Sequence, residues 1–134
     1  MKVFILCGGH GTRLDNLGKI IAKPMARISK EPILLHIIEN FLVQGFNEFV
    51  ICTGHKSETI NNFFLKEKKK YIKVLKKSKD HISLQANFKS KYFKCDIIFT
   101  GTSSGTGGRI KIAYNKLKLM EDIIMTYGDG LSNV

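Results

Sequence analysis

Tryptophan is absent from the chain, proline occurs twice, and no apolar run approaches the roughly 20 residues that a membrane-spanning helix needs. The first apolar stretch, Val3 to Cys7, meets glycines at once, so it lacks the length and cleavage pattern of a secretory leader. These absences predict a cytoplasmic protein without a membrane segment. Cysteine is scarce and odd in number. Cys7, Cys52 and Cys95 form no CxxC pair and sit in or beside apolar runs, which reads as small buried hydrophobes and excludes a disulfide framework. Acidic residues are also few, 11 against 22 Lys and Arg, for a net charge of +11. That excess suits an anionic partner. Much of it lies between Lys66 and Lys79 (KEKKKYIKVLKKSK), where a solvated face is the plainer reading, and a nucleic-acid partner would rest on charge alone.

What the chain does contain is ordinary for a globular domain. Of 134 residues, 43% are hydrophobic and 25% charged, which excludes a largely disordered chain and fits a single domain. Val3–Cys7 and Glu48–Thr53 (EFVICT) are continuous apolar runs of the kind buried on both faces of a sheet. Pro32 opens a segment at helical spacing, Ile33 to Val43, which Gly45 closes. Ser57 and Glu58 begin a second helix through Ile60, Phe63 and Phe64. Tyr71–Leu75 and Ile82–Leu84 suggest short strands in a segment, 66–94, whose period lysines obscure. Asp96–Thr100 reads as a strand, Arg109–Leu119 as an amphipathic helix and Asp122–Thr126 as the last strand. Alternation of this kind predicts an α/β fold: a Rossmann-like, open, mostly parallel sheet with flanking helices.

Glycines follow the strands. Gly8, Gly9 and Gly11 come after the first, Gly54 after the second, Gly101, Gly105, Gly107 and Gly108 after DIIFT, and Gly128 and Gly130 after DIIMT. Ligands of open α/β sheets bind at the carboxyl ends of strands, so these loops describe a ligand-binding rim. In the first loop, glycine lets backbone N–H groups wrap a polyphosphate and Arg13 adds a fork suited to phosphate oxygens. A glycine turn between elements would not by itself require Thr12-Arg13. Leu14 stands where a dinucleotide fingerprint needs its third glycine, and no GK[ST] marks a P-loop. Lys23, held extended by Pro24, can project toward Arg13, although alone it is only a lysine before a turn. Thr100 to Arg109 (TGTSSGTGGR) combines hydroxyls, permissive backbone and an arginine at a helix start, where anions and the edge of a base could be held. Asp129, between glycines, is either a turn aspartate or a ligand for Mg2+, which commonly binds one or two carboxylates plus substrate phosphates.

Together these segments resemble the N-terminal half of the sugar-1-phosphate nucleotidyltransferases, most closely the glucose-1-phosphate cytidylyltransferases. The resemblance rests on GGHGTR (Gly8–Arg13), KPM and EPILLHII (Lys23 to Ile38), TGTSSGTGGRIK (Thr100–Lys111) and TYGDG (Thr126–Gly130). It implies a nucleotide-diphospho-sugar transferase fold, C-terminally incomplete, in which residues 1–134 form the nucleotide-binding part. It also implies transfer of a cytidylyl group from CTP to a sugar 1-phosphate with release of pyrophosphate. Arg13 and Lys23 would be catalytic. Gly8, Gly9, Gly11, Thr12, Arg13, Thr106, Gly107, Gly108 and Arg109 would bind nucleotide, and Asp129 would bind Mg2+. The family's longer chains carry a sugar pocket and a second metal aspartate beyond this segment. A complementary C-terminal polypeptide or a homo-oligomer is therefore an expected partner, and little turnover is expected of the chain alone. Cys7, His10 and Ile21 depart from the family pattern, and the segment 66–94 matches it poorly. A non-catalytic nucleotide-binding or interaction module with the same fold is the alternative.

Overall fold

The computed structural model describes residues 1–8, 12–14, 20–28, 31–67, 72–101 and 105–128. In chain order the elements are β1 (Lys2–Cys7), a ribbon of β2 (Thr12–Leu14) and β3 (Ile20–Ala22), a 3-10 turn at Lys23–Met25, β4 (Arg27–Ile28) and β5 (Glu31–Pro32). Then come α1 (Ile33–Val43), β6 (Glu48–Thr53) and α2 (Ser57–Asn62), which runs into a π-helical turn at Phe63–Glu67. The remainder is β7 (Ile72–Lys77), β8 (His81–Phe88), β9 (Lys91–Phe99), α3 (Thr106–Lys116) and β10 (Ile123–Tyr127).

Six strands form one sheet in the order β10-β1-β6-β9-β8-β7. The first four are parallel: Ile5 lies beside Thr126 on one side and Ile51 on the other, and Ile51 lies beside Ile97. This is the mostly parallel α/β sheet that the alternating elements predict. β8 and β7 extend it antiparallel, because the short turns at Lys89-Ser90 and at residues 78–80 can only send the chain back beside itself.

Continuous apolar runs become the central strands because both faces are covered. Val3, Ile5, Phe49, Ile51, Cys95 and Ile97 point to the larger core, which α1 and α2 close with Leu34, Ile38 and Ile60 among others. Phe4, Leu6, Val50, Cys52 and Ile98 point to the opposite face, beneath Ala113 of α3. Each such side chain, fully buried, contributes about 1.5–3 kcal/mol. All three cysteines are buried and outside any disulfide, in agreement with the sequence reading.

Local signals set the helix ends. Pro32 serves as the N-cap of α1 rather than its first helical residue, with extended backbone, while Gly45 takes the left-handed conformation (φ 97°) just beyond the helix. α3 starts at Thr106 and ends at Lys116, a few residues ahead of the span its apolar spacing predicts. Among the described residues, no helix is long and apolar enough to cross a membrane.

Candidate functional site

The carboxyl ends of β1, β6, β9 and β10 lie side by side, and each leads into a glycine: Gly8, Gly54, Gly101 after Thr100, and Gly128. Main-chain and hydroxyl groups lace these ends together. Thr100 donates both its N–H (2.8 Å) and its Oγ1 hydroxyl (2.9 Å) to the carbonyl of Thr53. The N–H of Gly128 donates to the carbonyl of Leu6 at 2.9 Å.

Arg109 enters this lacing from the first turn of α3. It is 5% exposed, and its Nη1 donates to Thr100 Oγ1 at 3.1 Å and to the Gly101 carbonyl at 2.7 Å. The Thr100 hydroxyl thus accepts from the guanidinium while donating to the Thr53 carbonyl. The guanidinium lies so close over Gly8 that a Cβ there would overlap it. A Cβ on Gly54 would stand 2.5 Å from the Gly101 carbonyl oxygen, 2.6 Å from Arg109 Nη1 and 2.9 Å from the Gly8 carbonyl oxygen. Glycine is required at these two positions by close approach, not by an unusual φ. Beneath lies Cys52, whose thiol pKa is pushed up to about 12 by burial, with the Arg109 charge pulling slightly the other way. Burial also pushes the Cys95 thiol up, helped by the charge of Asp96. Neither sulfur is a thiolate near neutral pH, so neither offers a nucleophile.

The start of α3 is the open part of the rim. Gly105 is the N-cap, extended (φ −75°, ψ 175°), with no side-chain cap, and Thr106 and Gly107 carry no acid in the first turn. Thr106, Gly107 and Gly108 are exposed, and Gly105 and Gly107 face open space. A helix start, whose first N–H groups have no partner within the helix, is with the positive end of its dipole a ready anion site.

For Thr12, Arg13 and Lys23 the structure describes backbone positions. Arg13 pairs with Ile21 across the β2–β3 ribbon, and Lys23 begins the 3-10 turn that delivers Pro24 to the rim. There a Cβ on Gly128 would stand 3.2 Å from Pro24 Cγ, so the Lys23-Pro24 segment and the end of β10 are neighbours. Gly9, Gly11 and Asp129 lie outside the described residues. Among the described residues, no cluster of three or more His, Cys, Asp or Glu could hold a metal ion.

The nucleotidyl transferase sequence profile matches residues 2–129. The chain belongs to the nucleotidyl transferase family. A probable glucose-1-phosphate cytidylyltransferase of Bacillus subtilis is 37% identical over the whole of this chain and 52% of that protein. The glucose-1-phosphate cytidylyltransferase of Salmonella typhimurium is 34% identical, again over the whole chain and 52% of its own length. The crystal structure of HddC from Yersinia pseudotuberculosis complexed with GMP-PN superposes with a TM-score of 0.58 at 29% identity. That match covers 96% of this chain and 47% of HddC. This nucleotidyl transferase chain therefore spans about half the length of the relatives it matches.

Sequence reasoning finds the rim of this nucleotidyl transferase domain and puts Arg109 at a helix start facing the nucleotide, with no sign that its side chain is buried. The signal for the buried position is Ala113, one turn on along the same inward stripe. Thr100 and Thr53 were legible only as strand ends; nothing in their spacing announces the hydrogen-bonded chain they form.

Proposed function

We propose that this chain supplies the nucleotide-binding half of an enzyme that transfers the cytidylyl group of CTP to a sugar 1-phosphate, with glucose 1-phosphate as the first substrate to try. The observation that carries the reading is the uncapped start of α3 standing on the same rim as Gly8, Gly54 and Gly101, with Arg109 locked beneath. An oxygen of the sugar phosphate attacks the α-phosphorus of CTP in line. The bond from that phosphorus to the bridging oxygen breaks, and pyrophosphate carries away the electron pair. No enzyme side chain needs to form a covalent bond, so the protein's part is positioning and charge stabilisation.

In this scheme the backbone of Gly8, Gly9, Gly11 and Thr12 cradles the β,γ-phosphates. Arg13 balances the leaving charge and Lys23 the charge on the phosphoryl oxygens. Thr106, Gly107 and Gly108 meet the cytidine part, and Arg109 holds their loop in register with the ends of β1 and β6. Asp129 follows Gly128, which its bond to Leu6 fixes at the end of β1. One carboxylate beside substrate phosphates is a donor set suited to Mg2+, which when bound would offset phosphate charge. The rest of the catalytic apparatus would come from further sequence, a complementary polypeptide or a second copy.

The TGTSSGTGGRIK loop and the two cytidylyltransferase relatives favour cytosine. The Yersinia relative carrying GMP-PN makes a guanine nucleotide the second reading. Unfolding temperature measured with Mg2+ and, in turn, CTP, GTP, UTP, dTTP and ATP separates them, because a ligand specific to the folded state stabilises it in proportion to its affinity. The greatest shift is expected with CTP. A greatest shift with GTP would transfer the assignment to guanine, and none with any nucleotide, from a chain that melts cooperatively, would end the nucleotide-binding reading.

A further inference from the structure

Away from the rim, on the α1 and α2 side of the sheet, lies a cavity of about 390 Å³. Leu35, Phe63, Phe64, Ala86 and Phe93 make its apolar walls, and Lys89 and Ser90 stand among its polar lining. This is the size and character of a small-molecule site: apolar, with few polar groups to orient a ligand. Nothing in the nucleotide-binding reading uses it.

Two of its walls are backbone conformations that cost energy. Phe63 and Phe64 sit on the π-helical turn, a rare geometry that is frequent at functional sites. Their rings meet edge to face at 5.1 Å between centroids and are almost wholly buried. Opposite, Phe88 pairs with Lys91 around a two-residue hairpin turn in which Lys89 (φ 51°) and Ser90 (φ 65°) are both left-handed. Asn-Gly or Asp-Gly would make that turn without strain. Strained residues persist where something else over-determines them. Here the pairing of β8 with β9 on either side holds the turn, and from it the Lys89 ammonium reaches the Glu39 carboxylate of α1 at 3.0 and 3.3 Å and lies 5.3 Å from the centre of the Phe88 ring. The turn therefore holds a cation at the cavity in an exposed ion pair, a kind that is weak and readily exchanged.

We propose that this cavity is a binding site for a small organic anion with a flat aromatic body. The body packs on Phe63, Phe64 and Phe93, and the anionic group replaces Glu39 as the partner of Lys89. The site is separate from the nucleotide rim, and the inference does not depend on what that rim binds.

The probe is 2-naphthoate, with neutral 2-naphthylmethanol as its control, titrated into the full chain and followed by amide NMR and calorimetry. Naphthoate is expected to bind saturably, perturbing amides of Phe63–Phe64 and Ala86–Ser90 and sparing Gly105–Gly108. Lys89→Gln should weaken naphthoate about two- to fivefold, the scale of one exposed ion pair, and leave naphthylmethanol unchanged. Lys89→Asn with Ser90→Gly should raise the unfolding temperature while weakening naphthoate in the same way. Ala86→Phe, which fills the cavity, should abolish binding of both compounds. The proposal is overturned by an absence of saturable binding, by perturbations confined to the rim, or by a Lys89→Gln protein that keeps full affinity for naphthoate. The two turn variants lie on the surface, so the question is decided even where Ala86→Phe fails to fold.

Discussion

Arg109 and the glycines around it act as one object. A guanidinium offers several donors in a fixed plane, and here one nitrogen serves two acceptors on the end of β9 while the flat group fills the space over Gly8 and Gly54. Lysine at 109 has a compact ammonium that cannot do both. Arg109→Lys is therefore expected to lower stability by about 1–3 kcal/mol in urea titration, the loss of buried hydrogen bonds to a charged donor. Gly54→Ala places its Cβ against two backbone carbonyls that cannot move aside as a flexible side chain would. Overpacking of this kind costs about 1–3 kcal/mol, and the same titration should find it without any ligand present. Gly107→Ala meets open space. It should hold or raise stability by up to about 1 kcal/mol through helix propensity, so any loss of nucleotide-dependent stabilisation in that variant reports contact with the ligand.

At the scale of elements, the start of α3 combines stability and binding in one place. Gly105 has extended backbone and free space, so an aspartate fits there and can cap the helix. Gly105→Asp should add about 0.3–1 kcal/mol to stability, chiefly by placing a negative charge at the positive end of the helix dipole, since glycine is itself a fair cap. It should also diminish the shift produced by CTP, because a carboxylate then crowds the helix start offered to the nucleotide. A melting series with and without nucleotide reads both effects in one experiment.

The elements differ in how openly the sequence declares them. Glu48–Thr53 and Ile33–Val43 are found at the bounds that apolar runs and flanking signals predict, since both are buried and conventionally terminated. The segment 66–94 resists for three reasons. β7 is an edge strand exposed along nearly all its length, so Lys73, Lys76 and Lys77 erase the two-residue period, and a register shift between Val74 and Lys76 interrupts it. The hairpin that follows turns on Lys89-Ser90, which has none of the glycine, asparagine or aspartate that marks a left-handed hairpin turn. β9 begins at Lys91, not Asp96, because Tyr92 and Lys94 face outward between Phe93 and Cys95 and mask its first half. The rim was legible from glycines alone; the inward course of Arg109 was not, because a charged residue beside exposed glycines gives no sign of burial.

Across the whole molecule, the buried thiols set an alkaline limit. Cys52 titrates near 12 in the fold against about 9 when free, and Cys95 is raised in the same direction. Above pH 9 the unfolded chain therefore holds fewer protons than the native one, and stability present below that pH is lost as pH climbs toward 12. Each such thiol contributes a slope of up to about 1.4 kcal/mol per pH unit in that window. Urea titrations from pH 8 to 11, on the order of the window in which that linkage acts, should show the decline, and Cys52→Ala should make it shallower whatever that substitution does to stability at neutral pH.

The pairing of Lys2 with Ile123 joins the first of the described strands to the last of them. During translation β1 emerges ahead of β6 and pairs with it early, but its other side stays open until β10 has left the ribosome. At about 5–20 residues per second that wait is on the order of ten seconds. Throughout it the nascent chain presents the uncharged run Val3–Cys7 with unpaired backbone along one side. Yield of this protein in cells should accordingly depend on how fast synthesis reaches residue 127 relative to how often nascent chains meet, so that slower initiation improves recovery and a stall between α3 and β10 sends the product to aggregates.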